Sequence, residues 1–193
     1  FPISIVLALG RRSNFPVVSL ACTAFIEVVR GVPLITILFF AKLILPFFAD
    51  ALTGIDDVIR MMIGLTLFTA AYQAEVIRGG LQVIPKGQTE AAYALGLNST
   101  YTLLFITLPQ ALRAVIPAMM SQFVSLFKDT TLVSIVGLFE LLGIVEFIVN
   151  GQQANRNFQR EAYIFVGIIY FVVSYIMSSI SRRLEASGSG AAR

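Results

Sequence analysis

The sequence contains no histidine, no tryptophan and one cysteine, and only 13% of its 193 residues are charged. Each shortage removes something. Without histidine there is no His-ligated metal site and no histidine general base. Cys22 stands alone inside an apolar run, so it can form no internal disulfide and reads as a small buried hydrophobe. Without tryptophan, an aromatic belt at a membrane surface falls to tyrosine. A globular domain carries about 25% charged residues, whereas this chain is 57% hydrophobic and has few loops to keep it in water. The net charge of +3 is not laid out as a basic stripe with interleaved aromatics, which argues against nucleic acid as a partner.

What is present is long apolar runs. Residues 17–48 contain Glu27, Arg30 and Lys42 and are interrupted by Gly31-Val32-Pro33. Residues 58–83 carry Arg60, Glu75 and Arg78; residues 103–149 hold Lys128-Asp129 in their middle; residues 163–180 are free of charge and end in Arg182-Arg183. A spanning helix needs roughly 20 apolar residues. The run 3–9 before Arg11-Arg12 is too short, and it reads as the tail of a span that begins outside this sequence. The expectation is an all-α integral membrane protein of about five spans, the first incomplete, forming one domain over residues 1–186 with a flexible tail at 187–193. Basic residues mark the inner side, so Arg11-Arg12 and Arg182-Arg183, and with them the C-terminus, are expected in the cytoplasm. The loop with Asp50, Asp56 and Asp57 is expected outside. The run 103–149 exceeds one crossing, and its break is expected at Lys128-Asp129-Thr130-Thr131, because charges at membrane depth must face protein or water. Residues 150–161 read as a polar connection.

Residues 84–98, Ile-Pro-Lys-Gly-Gln-Thr-Glu-Ala-Ala-Tyr-Ala-Leu-Gly-Leu-Asn, lie between two spans. Pro85 and Gly87 stop the preceding helix, good helix formers follow, and Gly96 and Asn98 suit a helix end that needs a left-handed residue. Ala92 and Gly96 are four apart and share a nearly bare face. Such a helix either docks another protein or lies on the bilayer as an amphipathic elbow.

Glu90-Ala91-Ala92, three residues, Gly96, nine residues, then Ile106-Thr107-Leu108-Pro109 resembles the signature of bacterial ABC importer permeases. Glu27 to Leu34, Ala74 to Gln88 and Phe127 to Val133 resemble motifs of the polar amino acid permeases, and over most of the chain the similarity is to the "M" type permease of general L-amino acid transporters. The resemblance implies a type I ABC importer transmembrane domain and an alternating-access import of L-amino acids. It implies that Glu90, Ala91, Ala92 and Gly96 sit on a coupling helix, about residues 86–98, that inserts into an ATPase subunit. It also implies an ATPase dimer carrying ATP and Mg, a second permease subunit in a hetero- or homodimer, and a periplasmic amino-acid-binding protein. The setting would be the bacterial inner membrane. The missing Walker A loop, G-x-x-x-x-G-K-[ST], agrees with an engine supplied by another protein, and no enzymatic activity is expected of this chain.

An amino acid carries a carboxylate and an ammonium. Asp129, Thr130 or Thr131 could cap a half-helix running toward Leu142, whose N-terminus would face the anionic group. Lys128 could serve the carboxylate and Glu140 the ammonium; Lys128-Asp129 could equally be a structural ion pair. Glu27 with Arg30, and Glu75 with Arg78, are each three apart and can meet on one helix face, either as neutralised pairs or as a gate or subunit contact. Gly31 and Pro33 should kink or unwind the chain there. The rival readings are a secondary transporter, which would normally carry an internal inverted repeat, and a membrane scaffold subunit without a transport path, which would not need charges at mid-membrane.

Overall fold

Proline, glycine and the long apolar runs decide where each helix starts and stops. The computed structural model describes residues 1–48, 53–151 and 157–189; Asp50, Gln152, Gln153, Asn155, Arg156 and residues 190–193 lie outside that set. The described residues form helices α1 (Pro2–Arg11), α2 (Pro16–Gly31), α3 (Leu34–Phe39), α4 (Asp57–Val83) and α5 (Lys86–Ala94). They continue with α6 (Leu108–Asp129), α7 (Leu132–Ile135), α8 (Leu141–Gly151) and α9 (Gln159–Ser189). α3 passes into a π-helical stretch, Phe40–Ile44, and a 3-10 turn, Leu45–Phe48. α6 is preceded by a short turn, Ser99–Tyr101, and a π-helical stretch, Thr102–Thr107.

α2 ends at Gly31 and α3 begins at Leu34, with Pro33 extended between them (φ −59°, ψ 143°). Proline has no amide hydrogen and pushes the residue before it out of the α region. The Pro33 carbonyl instead accepts from Thr36 N at 3.0 Å and opens the next helix. Helix α9 runs on to Ser189, three residues into the segment expected as tail.

By length and apolarity, Ser99–Ile135 and Gln159–Arg183 can each cross a membrane, and the broken pair Pro16–Gly31 with Leu34–Phe48 makes a third candidate. These are the two or three candidates among the described residues. α4 has the length, at 27 residues, but it carries Arg60, Gln73, Glu75 and Arg78. α1 and α8 are short apolar helices.

The chain divides into two compact units, residues 1–31, 69–122 and 180–193, and residues 32–68 and 123–179. In the first, Ala74, Ile77 and Leu81 of α4 and Ala111, Val115 and Met119 of α6 are buried together with Ala8 and Ile26. Their spacings of three and four put each set on one helix face. Small residues let the backbones approach: a Cβ added at Gly80 would lie 2.3 Å from Val115 Cγ1 and 2.9 Å from the Ala111 carbonyl oxygen. Gly10 and Cys22 make a similar contact between α1 and α2, with Sγ 2.5 Å from where a Cβ would stand. In the second unit, Leu34, Leu38 and Ala41 pack with Met61 and Val136, and Gly64 admits Ala41.

Adjacent glycines in α4 therefore differ in what they allow. Gly79 has no heavy atom within 4 Å of its added Cβ, so Gly79→Ala is expected to stabilise through helix propensity, by up to about 1 kcal/mol. Gly80→Ala is expected to cost about 1–3 kcal/mol by overpacking. Thermal unfolding in detergent checks the pair; equal shifts for both would contradict the close α4–α6 approach.

Candidate functional site

Helix α5 is bounded by local chemistry at both ends. Pro85 precedes it in an extended conformation (φ −58°, ψ 137°), and Gln88 N donates to the Pro85 carbonyl at 3.0 Å. At the other end Gly96 takes a left-handed φ of +79°. Its N–H donates to Tyr93 O at 2.9 Å, and Leu97 N donates to Ala92 O at 3.1 Å. These paired bonds are a Schellman cap, which a residue with a Cβ adopts at a cost. Asn98, expected to share in that ending, instead opens the next turn: its side-chain oxygen accepts from Tyr101 N at 3.0 Å.

The faces of α5 are not as the spacing suggested. Ala92 is 4% exposed and belongs to the packed side, where α5 lies against the π-helical stretch Thr102–Thr107. Ala92 and Gly96 therefore do not form a bare open face. The open side presents Glu90 and Ala91, with Tyr93 and Leu95 also exposed and Gly96 beyond them. Tyr93 and Leu95 went unnoticed in the sequence, although two large apolar residues at the end of an otherwise polar helix were a readable signal. Gln110 Nε2 donates to Gln88 Oε1 at 3.3 Å and adds a tie from α6.

The helix that leads into α5 is anchored by charge. Glu75 of α4 accepts from Arg78 Nε at 2.9 Å and 3.0 Å and from Arg78 Nη2 at 2.5 Å. It also accepts from Arg11 Nη1 at 3.0 Å. Arg11 reaches Glu27 as well, Nη2 to Oε1 at 2.8 Å. The Glu75–Arg78 contact is present on one helix face. The Glu27–Arg30 contact is not: Glu27 is held by Arg11, and Arg30 stacks over the Tyr72 ring, 5.4 Å from its centroid. The Arg30 carbonyl accepts from Tyr72 OH at 3.3 Å, while its buried Nε has no hydrogen-bond partner. Spacing along one helix misassigned Glu27 because the stronger partner arrives from α1, where Arg11 reads as a topology signal. A buried hydrogen bond, Ser4 Oγ to Gln73 Oε1 at 3.1 Å, ties α1 to α4 again.

The second unit holds the broken-helix residues. α6 ends at Asp129, and Thr130 and Thr131 use their hydroxyls as donors to the carbonyls of Phe127 (2.7 Å) and Lys128 (2.8 Å). They close the helix behind them and cap nothing ahead. At the N-terminus of α8 the side-chain cap is Glu140: Gly143 N donates to Oε1 at 2.9 Å. Its other oxygen accepts from Tyr170 OH at 2.8 Å. No hydrogen bond or ion pair joins Lys128 to Asp129, and Lys128 is exposed. A cavity of about 420 Å³ brings Thr130 and Glu140 together with Leu38, Met61, Met62 and Phe139; Lys128, Asp129 and Thr131 do not line it. Lys42, a charge in an apolar run, is held in place. Its ammonium donates to Val136 O at 2.5 Å with the Asp57 carboxylate 3.8 Å away, and a Cβ at Gly137 (φ +84°) would lie 3.3 Å from its Nζ.

The family described as binding-protein-dependent transport system inner membrane component matches residues 1–187. The chain is 48% identical over 184 residues to the glutamate/glutamine/aspartate/asparagine transport system permease protein BztC of Rhodobacter capsulatus, covering 95% of this chain and 42% of that protein. It is 47% identical over 184 residues to the inner membrane amino-acid ABC transporter permease protein YhdY of Escherichia coli K12, covering 95% and 50%. The chain thus spans about half the length of these two relatives. Among solved structures, one described as an amino acid ABC transporter with histidines superposes with a TM-score of 0.83 at 28% identity, covering 96% of this chain and 84% of that one. The MetNI methionine ABC transporter in inward-facing conformations shares the fold, with a TM-score of 0.67 at 19% identity, covering 95% and 84%.

Glu75 neutralises two guanidinium groups, so its loss should exceed that of either arginine. Glu75→Gln is expected to cost about 1–3 kcal/mol, between an exposed and a buried pair, because Arg11 and Arg78 are about a quarter exposed, at 21% and 26%. Adding Arg78→Met should recover part of that loss, since one uncompensated charge goes with it. Thermal midpoints of the single and double variants check this; strictly additive losses would sink the coupling.

Proposed function

We propose, from the premise that the chain belongs to the family of binding-protein-dependent transport system inner membrane components, that it is the permease part of an ATP-driven L-amino acid importer and that α5 is its coupling helix. The observation that carries this reading is the placement of α5: a polar helix of nine residues, fixed at both ends, packed through Ala92 and open along Glu90 and Ala91. A membrane elbow has no need for so rigid a mount. The relatives named for amino acid transport support the substrate class.

In this reading an ATPase dimer holds ATP and Mg and receives the open side of α5 in its groove. Glu90, Ala91 and the Gly96 cap meet the ATPase, joined by Tyr93 and Leu95, while Ala92 carries the push inward to the π-helical stretch. A second permease subunit, hetero- or homodimeric, completes the path, because one such chain has too few helices to enclose it. A binding protein delivers the amino acid from outside, the C-terminus lies in the cytoplasm, and the membrane is the bacterial inner membrane. ATPase closure draws the coupling helices together and opens the path outward; hydrolysis resets it. This chain breaks no covalent bond.

The pathway role narrows to Thr130 and Glu140, which share a cavity of ligand size. Both Glu140 oxygens already accept hydrogen bonds. Glu140 therefore acts by holding the N-terminus of α8 toward the path, and a substrate ammonium must compete for it with Tyr170. Lys128 and Asp129 serve as exposed or half-buried charges facing protein or water at the helix break. Gly31 and Pro33 supply the hinge of the second span.

The test is substrate-stimulated ATPase activity of the reconstituted complex carrying Ala91→Glu. This change places a charged side chain on the open face and leaves the Ala92 packing intact. Stimulation is expected to fall at least tenfold, with ATPase subunits detaching while the permease keeps its thermal midpoint. Unchanged stimulation would reopen the secondary-transporter and scaffold readings.

A further inference from the structure

We propose that a second cavity in the first unit binds the phosphate of an anionic phospholipid headgroup. The cavity, about 350 Å³, lies among the α1–α2 turn, α5 and the start of the stretch leading to α6. Arg12, Ser13, Asn14, Thr89, Ser99 and Thr102 supply its polar wall, and no carboxylate lines it. One cation surrounded by hydroxyls and an amide, without a competing acid, is the donor set that a phosphate oxygen requires. Arg12 is available for that work. Its neighbour Arg11 is held by Glu27 and Glu75, whereas Arg12 is tied to no carboxylate among the described residues.

The second observation is independent of charge. Thr102 is 2% exposed, and its Oγ1 has no hydrogen-bond partner. A buried unpaired hydroxyl costs about 1–3 kcal/mol, and this one sits in a π-helical stretch, a form often found at functional sites. A phosphate oxygen in the cavity would satisfy it.

A lipid is favoured over a soluble phosphate by what continues from the cavity. Directly after Asn14, Phe15, Val17 and Leu20 are exposed. They offer acyl chains an apolar track beside the headgroup pocket. Next in sequence to the cavity-lining Ser99 and Thr102, Tyr101 and Phe105 are exposed and stacked 5.8 Å apart; aromatic residues of this kind settle at the headgroup level. A bound headgroup would bridge the α1–α2 turn and α5 through Arg12 and Thr89. The lipid would then tune how α5 is mounted, whatever solute is carried.

The test uses the full-length protein in detergent, with thermal midpoints measured against dihexanoyl phosphatidylglycerol, dihexanoyl phosphatidylcholine and inorganic phosphate. Phosphatidylglycerol is expected to raise the midpoint by roughly 5 °C at saturation, with little effect from the other two. Arg12→Gln, at an exposed position, should abolish the rise, and Asn14→Ala, also exposed, should weaken it several-fold. A rise of the same size with inorganic phosphate, lost in Arg12→Gln, overturns the lipid assignment in favour of a soluble anion. Equal responses of wild type and both variants overturn the site.

Discussion

Glu75 sits where the first unit is joined by charge. One carboxylate takes a forked contact from Arg78 on its own helix and a second guanidinium from Arg11 on α1, and Arg11 carries the connection on to Glu27 on α2. Three helices that already pack through Ala8, Ile26 and Ala74 are tied further by two acids and two arginines. In water such exposed pairs would contribute little. Here Arg11, Glu75 and Arg78 are about a quarter exposed while Glu27 is more than half exposed, and the network persists because each charge has a partner. α5 follows only a few residues after Arg78, so the network sets the position from which the helix projects.

The mount has two further parts, both local. Pro85 ends α4 and turns the chain, and the Schellman cap at Gly96 ends α5 and turns it back. Between them Ala92 seats the helix on the π-helical stretch. A short helix built this way is capped at both termini and packed in its middle, as the proposed coupling role requires. The small-residue contact of Gly80 with Ala111 and Val115 extends the stiffness into the membrane segments behind it.

Much of this was legible from local chemistry. The break at Gly31-Val32-Pro33, the start of α5 after Pro85 and the left-handed Gly96 all follow from proline and glycine in the sequence; the helix itself ends at Ala94, short of the expected 98, and contains Gly87. The Glu75–Arg78 contact follows from helical spacing. What spacing could not decide was competition from another helix: Glu27 could equally face Arg30 or an arginine elsewhere, and only the fold brings Arg11 to it. The hydroxyls of Thr130 and Thr131 were ambiguous for a different reason. A hydroxyl both donates and accepts, so the same residues can close the helix behind or cap the one ahead, and here they donate backward while Glu140 does the capping. Periodicity puts Ala92 and Gly96 on one face without saying which way that face points.

Cross-linking reads the open side of α5 directly. In a Cys22→Ala background of the assembled transporter, Ala91→Cys and Ala92→Cys are treated with benzophenone-maleimide and compared for photocross-linking to the ATPase subunit. Ala91→Cys is expected to link efficiently, with a yield that changes on nucleotide binding, while Ala92→Cys stays unreactive because its position is buried. If the ATPase copurifies but Ala91→Cys gives no cross-link, α5 is not the contact and the account fails.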